Sequence, residues 1–192
     1  MKLNPTGIYG SCWSGVALDW HTLSSVPRSD GGFDTTRSEL GEALYQLKYR
    51  LDRSKIEPLA TVVAEYIKKS KIYTDLKAII AVPPSKDRSF QPVLQLANAI
   101  GMKTSLSVPK DYLLKVKKTS SLKDVEDVNL RKQELQGAFR VIDQRYAGKT
   151  LLVFDDLYRS GETLNAVCNV LQEYGNVNTI YTLTITRTRI KR

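Results

Sequence analysis

The chain has 192 residues, of which 42% are hydrophobic and 26% are charged, and its formal net charge is +9. This length and composition predict one globular domain with a sizeable core, which argues against a disordered or fibrous protein. No apolar run approaches the length needed to span a bilayer, and residues 1–10 lack the layout of a secretory signal. We therefore expect a cytoplasmic protein without membrane association.

The excess of basic residues suits a polyanionic ligand, either a nucleic acid or a small molecule that carries several phosphates. Cys12 and Cys168 are far apart in sequence, which argues against a disulfide framework or a zinc ribbon. Cys12 and the single histidine, His21, lack the further ligands that a metal site needs. We expect Cys168 to be a small core residue and His21 to be structural or on the surface.

The N-terminal residues 1–36 are rich in glycine and in hydroxyl-bearing side chains. Residues 15–20 are predicted to form a strand, paired with residues 6–10 in a hairpin, and residues 24–36 are predicted to form a loop. We treat residues 1–192 as a single domain. Its parts are a small N-terminal hood with this hairpin (residues 1–36), a core (residues 37–186) and a basic tail (residues 187–192).

Three helices are predicted before residue 102. The first begins near Arg37, because leucines recur at the three- to four-residue spacing of a helix face, at Leu40, Leu44 and Leu47. Asp52 offers a break, and Pro58 fits the first turn of a second helix. The third is predicted over residues 90–100 and is expected to end at Gly101.

Short apolar runs predict the remaining strands, at residues 76–82, 104–108, 138–142, 151–154 and 179–185. Strands that alternate with helices predict an α/β fold with a parallel sheet. Ligands of such sheets bind beyond the carboxyl ends of the strands. We therefore expect residues 83–88, 109–136 and 155–163 to surround one pocket.

The most informative segment is residues 150–164, Thr-Leu-Leu-Val-Phe-Asp-Asp-Leu-Tyr-Arg-Ser-Gly-Glu-Thr-Leu. Two acids, Asp155 and Asp156, follow the apolar run, and a helical pattern begins at Leu164 after a loop that contains Gly161. Loop N–H groups and a helix N-terminus favour a phosphate, and carboxylates accept hydrogen bonds from vicinal hydroxyls. A 5-phosphorylated ribose has both features. The alternative is an ordinary strand end before an N-capped helix.

This segment resembles the phosphoribosyl pyrophosphate (PRPP) signature of type I phosphoribosyltransferases. Residues 44–50, residues 82–88 and Arg131 with residues 137–139 are similar to ComF-type competence proteins, a branch of that superfamily, although the chain lacks their N-terminal zinc module. The resemblance spans about residues 38–186. It implies a type I phosphoribosyltransferase-like parallel sheet flanked by helices, with a flexible lid.

The resemblance also implies roles for the matching residues. Asp155 and Asp156 would be the catalytic acids that hold the ribose hydroxyls, directly or through Mg²⁺. The residues that wrap the 5-phosphate would be Arg159, Ser160, Gly161, Glu162 and Thr163. The residues that meet the pyrophosphate would be Ser85, Lys86 and Arg88. The lid would contribute Lys117, Lys118 or Arg131, although the same segment equally fits a solvated polar loop.

Two functions from different classes follow. The first is an enzyme that transfers phosphoribosyl from PRPP to an unknown acceptor, with Mg²⁺ as cofactor and pyrophosphate as product. The second is a regulatory protein that senses PRPP or a nucleotide and acts with a nucleic acid or a protein partner. The intact acid pair favours the first, whereas Tyr158 and Arg159 inside the loop and the net charge favour the second. A generic nucleotide-binding α/β domain is a third hypothesis. The resemblance also implies a homodimer.

Overall fold

A computed structural model of the chain describes residues 1–84, 89–117, 130 and 135–189. Its strands are β1 (Thr6–Tyr9), β2 (Ser14–Trp20), β3 (Thr22–Pro27), β4 (Phe33–Arg37), β5 (Leu76–Ala81), β6 (Leu113–Lys115), β7 (Phe139–Val141), β8 (Thr150–Tyr158) and β9 (Thr179–Arg187). Its α-helices within these residues are α1 (Glu39–Tyr49), α2 (Ile56–Lys69), α3 (Pro92–Thr104) and α4 (Glu162–Glu173). Short 3-10 turns cover Arg53–Lys55 and Tyr73–Asp75.

A five-stranded sheet forms the centre of the fold, in the order β1-β2-β9-β8-β5. The pairs β2–β9, β9–β8 and β8–β5 are parallel, and β1 adds to the edge as the antiparallel partner of β2. The predicted parallel α/β sheet is therefore confirmed, as is the pairing of the first two strands. That hairpin belongs to the central sheet, however, and does not form a separate hood.

Helices cover both faces of the sheet. One face packs against α1, α2 and α3, and the leucines that predicted the first helix, Leu40, Leu44 and Leu47, are fully buried there. The other face packs against α4, whose Cys168 is buried as expected. None of the helices within the described ranges is long and apolar enough to cross a membrane.

Residues 24–36 were expected to be a loop, and this prediction was wrong. They belong to an antiparallel hairpin of β3 and β4, which turns at Gly31 with a φ of 81°. The turn residues near Asp30 dominated the sequence pattern, whereas β-branched side chains such as Val26 and Thr35 favour extended backbone on either side. This hairpin is the part of the predicted hood that lies outside the central sheet.

The end of α3 also differs from the prediction. The helix passes through Gly101 and reaches Thr104, and Ser105 adopts the left-handed conformation that closes it. A side chain at Gly101 would lie 2.8 Å from the carbonyl oxygen of Leu106, so the glycine allows the chain to fold back closely. Residues 104–108 are not a strand, because Ser107 makes only a single parallel bridge, to Ala78.

Two smaller assignments also change. The strand predicted over residues 138–142 is β7, which pairs with β6 in a separate two-stranded sheet. Arg187, which we placed in the basic tail, is the last residue of β9. The expected pyrophosphate residues Ser85, Lys86 and Arg88 lie outside the described residues, as do the expected lid residues Lys118 and Arg131.

The helix α1 is held against the start of the β3–β4 hairpin. Ser38 caps it, because its hydroxyl accepts a hydrogen bond from the Gly41 N–H (3.0 Å) and donates one to the Trp20 carbonyl (2.5 Å). A side-chain carbon at Gly41 would lie 2.2 Å from the carbonyl oxygen of His21. Glycine is thus required for the close approach that fixes the position of the helix and of Lys48 near its end.

We expect Gly41→Ala to destabilise the protein. In an open helix position the same change stabilises by about 1 kcal/mol, because alanine is the better helix former. Here the methyl group would force α1 away from His21, and overpacking of this kind costs about 1–3 kcal/mol. Urea unfolding measures the difference. Gly32→Ala is the matched control, because the nearest atoms there belong to flexible side chains, and it should change stability by less than about 0.5 kcal/mol.

Candidate functional site

A cavity of about 300 Å³ opens at the carboxyl ends of β5 and β8. Its walls come from the residues after β5, from the end of α1, from the start of α3, from the β6–β7 sheet and from the loop between β8 and α4. Pro83, Lys115 and Gly161 line it, one from each of the three segments that were expected to meet. Lys117 is described and exposed, and it does not line the cavity.

Both acids of the signature lie within β8, because the strand continues to Tyr158. The parallel register with β9 pairs Asp155 with Thr184 and Tyr158 with Arg187. Successive side chains of a strand point to opposite faces. Asp156 therefore lies on the face that packs against α1, and Asp155 lies on the face that packs against α4.

Asp156 forms an ion pair with Lys48, which the sequence did not reveal. Its Oδ2 atom lies 2.7 Å from the Lys48 Nζ atom, and the two side chains are 7% and 22% exposed. Burial lowers the pKa of Lys48, but Asp156, Asp155 and Tyr49 together outweigh it, so the pKa is raised and the ammonium stays charged. Lys48 and Asp156 both line the cavity.

Asp155 has a different environment from its neighbour. Its Oδ1 atom accepts a hydrogen bond from the Asp156 N–H at 2.8 Å. Burial and the adjacent charge of Asp156 raise the pKa of Asp155 to about 7, although this hydrogen bond and Lys48 act in the opposite direction. The Asp155 carboxyl group therefore titrates near neutral pH, whereas an exposed aspartate is already ionised at that pH.

The loop between β8 and α4 provides N–H groups at the mouth of the cavity. Gly161 precedes the first residue of α4 with a φ of 83°, and no side chain caps the helix there. Uncapped N–H groups at a helix start, together with the helix dipole, favour an anion. Ser160 and Thr163 add hydroxyl groups to the same wall.

Tyr158 supports this loop. Its ring atoms and hydroxyl lie 3.1–3.4 Å from the position that a side-chain carbon at Gly161 would take. The Arg187 guanidinium lies 5.7 Å from the same ring and 4.7 Å from the Trp20 ring, which continues the stack toward β2. Tyr158, which we expected inside the loop, is the last residue of β8, and its ring packs beside Gly161.

His21 lies behind the acid pair. Its Nδ1 atom is 3.2 Å from the Thr186 hydroxyl, which in turn donates to the Asp156 carbonyl at 3.4 Å. Burial lowers the pKa of His21, and the nearby positive charges of Arg37 and Lys48 lower it further. A neutral imidazole in this position supports the backbone of β8, in line with the structural role expected for it.

Metal-ligating side chains do not cluster within the described ranges. No group of three or more His, Cys, Asp or Glu side chains there could hold a metal ion. The carboxylate of Asp156 is already paired with the Lys48 ammonium. The acid pair therefore does not complete a Mg²⁺ site by itself, and its expected role toward that ion stays a prediction.

Comparisons with known proteins confirm the fold class. No family model and no curated protein matches this chain. It is similar to the B. subtilis glutamine PRPP amidotransferase complexed with ADP and GMP, with a TM-score of 0.50 and 14% identity over 84% of this chain and 35% of that one. It is also similar to Leishmania donovani UMP synthase, with a TM-score of 0.41 and 13% identity over 83% of this chain and 27% of that one.

The chain thus spans about a third of the length of the first structure and about a quarter of the second. At such identities the first similarity establishes the fold alone. The central parallel sheet flanked by helices is phosphoribosyltransferase-like, as the resemblance of residues 150–164 implies. The ComF-like branch stays a prediction.

We expect Asp155→Asn to stabilise the protein increasingly as the pH rises. The folded wild type holds a proton on Asp155 up to about pH 7, whereas the pKa of an aspartate in the unfolded chain is 3.8. The wild type therefore loses stability as the pH rises through this window, and the variant does not. The asparagine oxygen keeps the hydrogen bond from Asp156. Urea unfolding should show no gain near pH 4 and a gain of about 1–3 kcal/mol near pH 8.

Asp111→Asn is the control for this pH series. A hydrogen bond from Arg145 lowers the pKa of Asp111, which is the opposite direction, so this variant should gain no stability at high pH. A difference between Asp155→Asn and wild type that stays constant from about pH 4 to pH 8 would contradict the raised pKa.

Proposed function

We propose that the cavity binds PRPP and that the protein transfers its phosphoribosyl group to an acceptor, with release of pyrophosphate. The observation that supports this most is the arrangement of β8 and α4 around the cavity. Adjacent carboxyl groups and an uncapped helix N-terminus lie at the carboxyl end of a parallel sheet, in the order of the PRPP signature. Vicinal hydroxyls and a 5-phosphate are the ligand groups that match these two features.

The proposed placement of the ligand follows from the donors and acceptors. The 5-phosphate would receive the N–H groups of residues 160–163 and the hydroxyls of Ser160 and Thr163. Asp155 would accept hydrogen bonds from the ribose hydroxyls. The pyrophosphate would then lie toward Pro83 and Pro84, which line the cavity. The predicted pyrophosphate residues Ser85, Lys86 and Arg88 follow them in the sequence.

The proposed reaction breaks the bond between the anomeric carbon and the pyrophosphate oxygen, and a nucleophile of the acceptor forms the new bond. Positive charge develops on the ribose as the leaving group departs, and the carboxylate of Asp155 stabilises it. Basic side chains around the cavity, including Lys115, would offset the charge of the pyrophosphate. Mg²⁺ carried by the pyrophosphate would add to this neutralisation. Closure of the proposed lid residues Lys117, Lys118 and Arg131 would exclude water.

A second candidate is a regulatory protein that binds PRPP or a nucleotide without turnover. The ion pair of Asp156 with Lys48 favours it, because one of the two acids is already engaged. The packing of Tyr158 on Gly161 favours it as well, because this contact stiffens the loop. Such a protein would act with a nucleic acid or a protein partner, as in the DNA uptake of ComF-type proteins. A cytoplasmic location and a homodimer are further predictions.

Pyrophosphate release from PRPP, with Mg²⁺ and a panel of nucleobases, tests the enzyme. We expect release with at least one acceptor. Asp156→Asn should weaken PRPP binding by at least about tenfold, because it removes the charge that holds Lys48 in the cavity. PRPP binding in calorimetry without release for any acceptor would favour the regulatory protein. If neither PRPP nor ribose 5-phosphate binds, the proposed pocket is wrong.

We also expect Gly161→Ala to weaken PRPP binding by at least about tenfold. A left-handed backbone costs an alanine about 1–2 kcal/mol, and the new methyl group would push against Tyr158 and displace the loop N–H groups. Calorimetric titration with PRPP measures the loss. Gly148→Ala is the matched control, because Gly148 has a similar φ of 70° with no neighbouring atom within 4 Å. Equal affinity of both variants would contradict the proposed phosphate loop.

A further inference from the structure

We propose that the Lys48 ammonium supplies the positive charge in the part of the cavity that binds the ribose. Binding of the ribose 5-phosphate part of the ligand then requires no Mg²⁺. Mg²⁺ would then act on the pyrophosphate alone. This inference rests on the proposed function, because it concerns the same cavity. It assigns a binding role to a residue of α1 that lies outside the PRPP signature.

The ion pair occupies the position where a metal ion would contact the second acid. The Lys48 Nζ atom lies 2.7 Å from Asp156 Oδ2, and both side chains are largely buried while they line the cavity. A divalent cation at this carboxylate would have to displace an ammonium that burial already holds in contact. Mg²⁺ also needs several oxygen ligands in near-octahedral geometry, and no group of three acidic, histidine or cysteine side chains within the described ranges offers them. An ion here would therefore need the unpaired carboxylate of Asp156, with water completing its coordination, and Lys48 occupies that carboxylate.

The fold fixes the position of the ammonium. Ser38 caps the start of α1, and Gly41 lets the helix approach the His21 carbonyl. At the other end, the Gln46 carbonyl accepts hydrogen bonds from the N–H groups of Arg50 (3.0 Å) and Asp52 (3.1 Å). These bonds close the end of α1, and the fully buried Leu44 and Leu47 hold that end against the core. Lys48 therefore differs from a surface lysine, which pairs with whichever acid is near.

The chemistry of an ammonium suits this position. It donates three hydrogen bonds, one of which goes to Asp156, and the others can reach oxygen atoms of a ligand in the cavity. Its single charge balances the single charge of Asp156. Binding of an anionic sugar phosphate then adds negative charge to a neutral pair, whereas two unpaired carboxylates would repel it.

Calorimetric titration with ribose 5-phosphate and with PRPP, each in EDTA and in saturating Mg²⁺, tests the inference. For wild type, we expect the affinity for ribose 5-phosphate to agree within about twofold in the two buffers, and the affinity for PRPP to rise with Mg²⁺. For Lys48→Met, the affinity for ribose 5-phosphate should fall by at least about tenfold in EDTA. It should recover in Mg²⁺, because Asp156 is then open to the ion. The inference would be overturned if wild type required Mg²⁺ to bind ribose 5-phosphate. It would also be overturned if Lys48→Met bound ribose 5-phosphate in EDTA with the affinity of wild type.

Three further variants separate the role of the ammonium from folding. Lys55→Met is the matched control, because Lys55 pairs with Asp52 at 3.6 Å on the surface and does not line the cavity, so wild-type behaviour is expected. Lys48→Arg keeps the charge and should retain binding in EDTA. The double variant Lys48→Met with Asp156→Asn removes both charges of the ion pair, so we expect it to keep the fold. It should bind ribose 5-phosphate weakly in both buffers, and recovery in Mg²⁺ would contradict the role of Asp156.

Mn²⁺ binding, followed by water proton relaxation without any sugar phosphate, distinguishes this inference from the proposed function. Wild type should show no Mn²⁺ site at the acid pair, and Lys48→Met should gain one that Asp156→Asn removes. A Mn²⁺ site in wild type that Asp156→Asn removes would overturn the inference. If no variant binds PRPP or ribose 5-phosphate, the proposed function fails, and the relaxation result still decides whether Lys48 excludes the metal.

Discussion

The parallel pairing of β8 with β9 as far as Tyr158 and Arg187 is the constraint on which the site depends. It places both acids on a strand whose backbone is hydrogen-bonded to the neighbouring strand. On a loop, the same two side chains would be free to move. The alternation of side chains then sends Asp156 toward α1 and Asp155 toward the opposite face. The turn into α4 begins directly afterwards, so the carboxyl groups and the loop N–H groups keep a fixed separation. Such preorganised polar groups are what a charged ligand needs, since they cost little reorganisation when it binds.

Two adjacent residues of the same type have different properties in this arrangement. Asp156 is buried and paired with an ammonium at 2.7 Å, which compensates its charge and ties β8 to α1. The pKa of Asp155 is raised to about 7 by burial and by the adjacent carboxylate, so its charge responds to the surroundings near neutral pH. The ion pair contributes to the geometry of the cavity. Asp155 has no such ion pair within the described residues, so a ligand can bind to it without breaking one. The positive charge that develops on the ribose in the proposed reaction would favour the ionised form of Asp155.

Local patterns predicted the parts of the fold that depend on local physics. The spacing of leucines in α1 and the run of residues 150–164 each place a strand or helix by its own periodicity and by its end signals. The β3–β4 hairpin was missed because polar turn residues occur in both loops and hairpins, and its strands bury little surface. Gly101 was taken as a helix end because its tertiary reason, the close approach of Leu106, is not visible in the sequence. The pair of Lys48 with Asp156 joins two distant elements, so no local pattern could indicate it.

Amide shifts in ¹⁵N-labelled protein during titration with ribose 5-phosphate test the central claim most directly, because they locate the ligand without requiring catalysis or a known acceptor. We predict saturable shifts at the backbone N–H groups of residues 159–163 and at Asp155 and Asp156. Amides of the cavity between α2 and the opposite end of the sheet, such as that of Tyr181, should stay unchanged. Shifts that are absent at saturating ligand, or that concentrate away from the β8–α4 loop, would contradict a sugar phosphate site at this position.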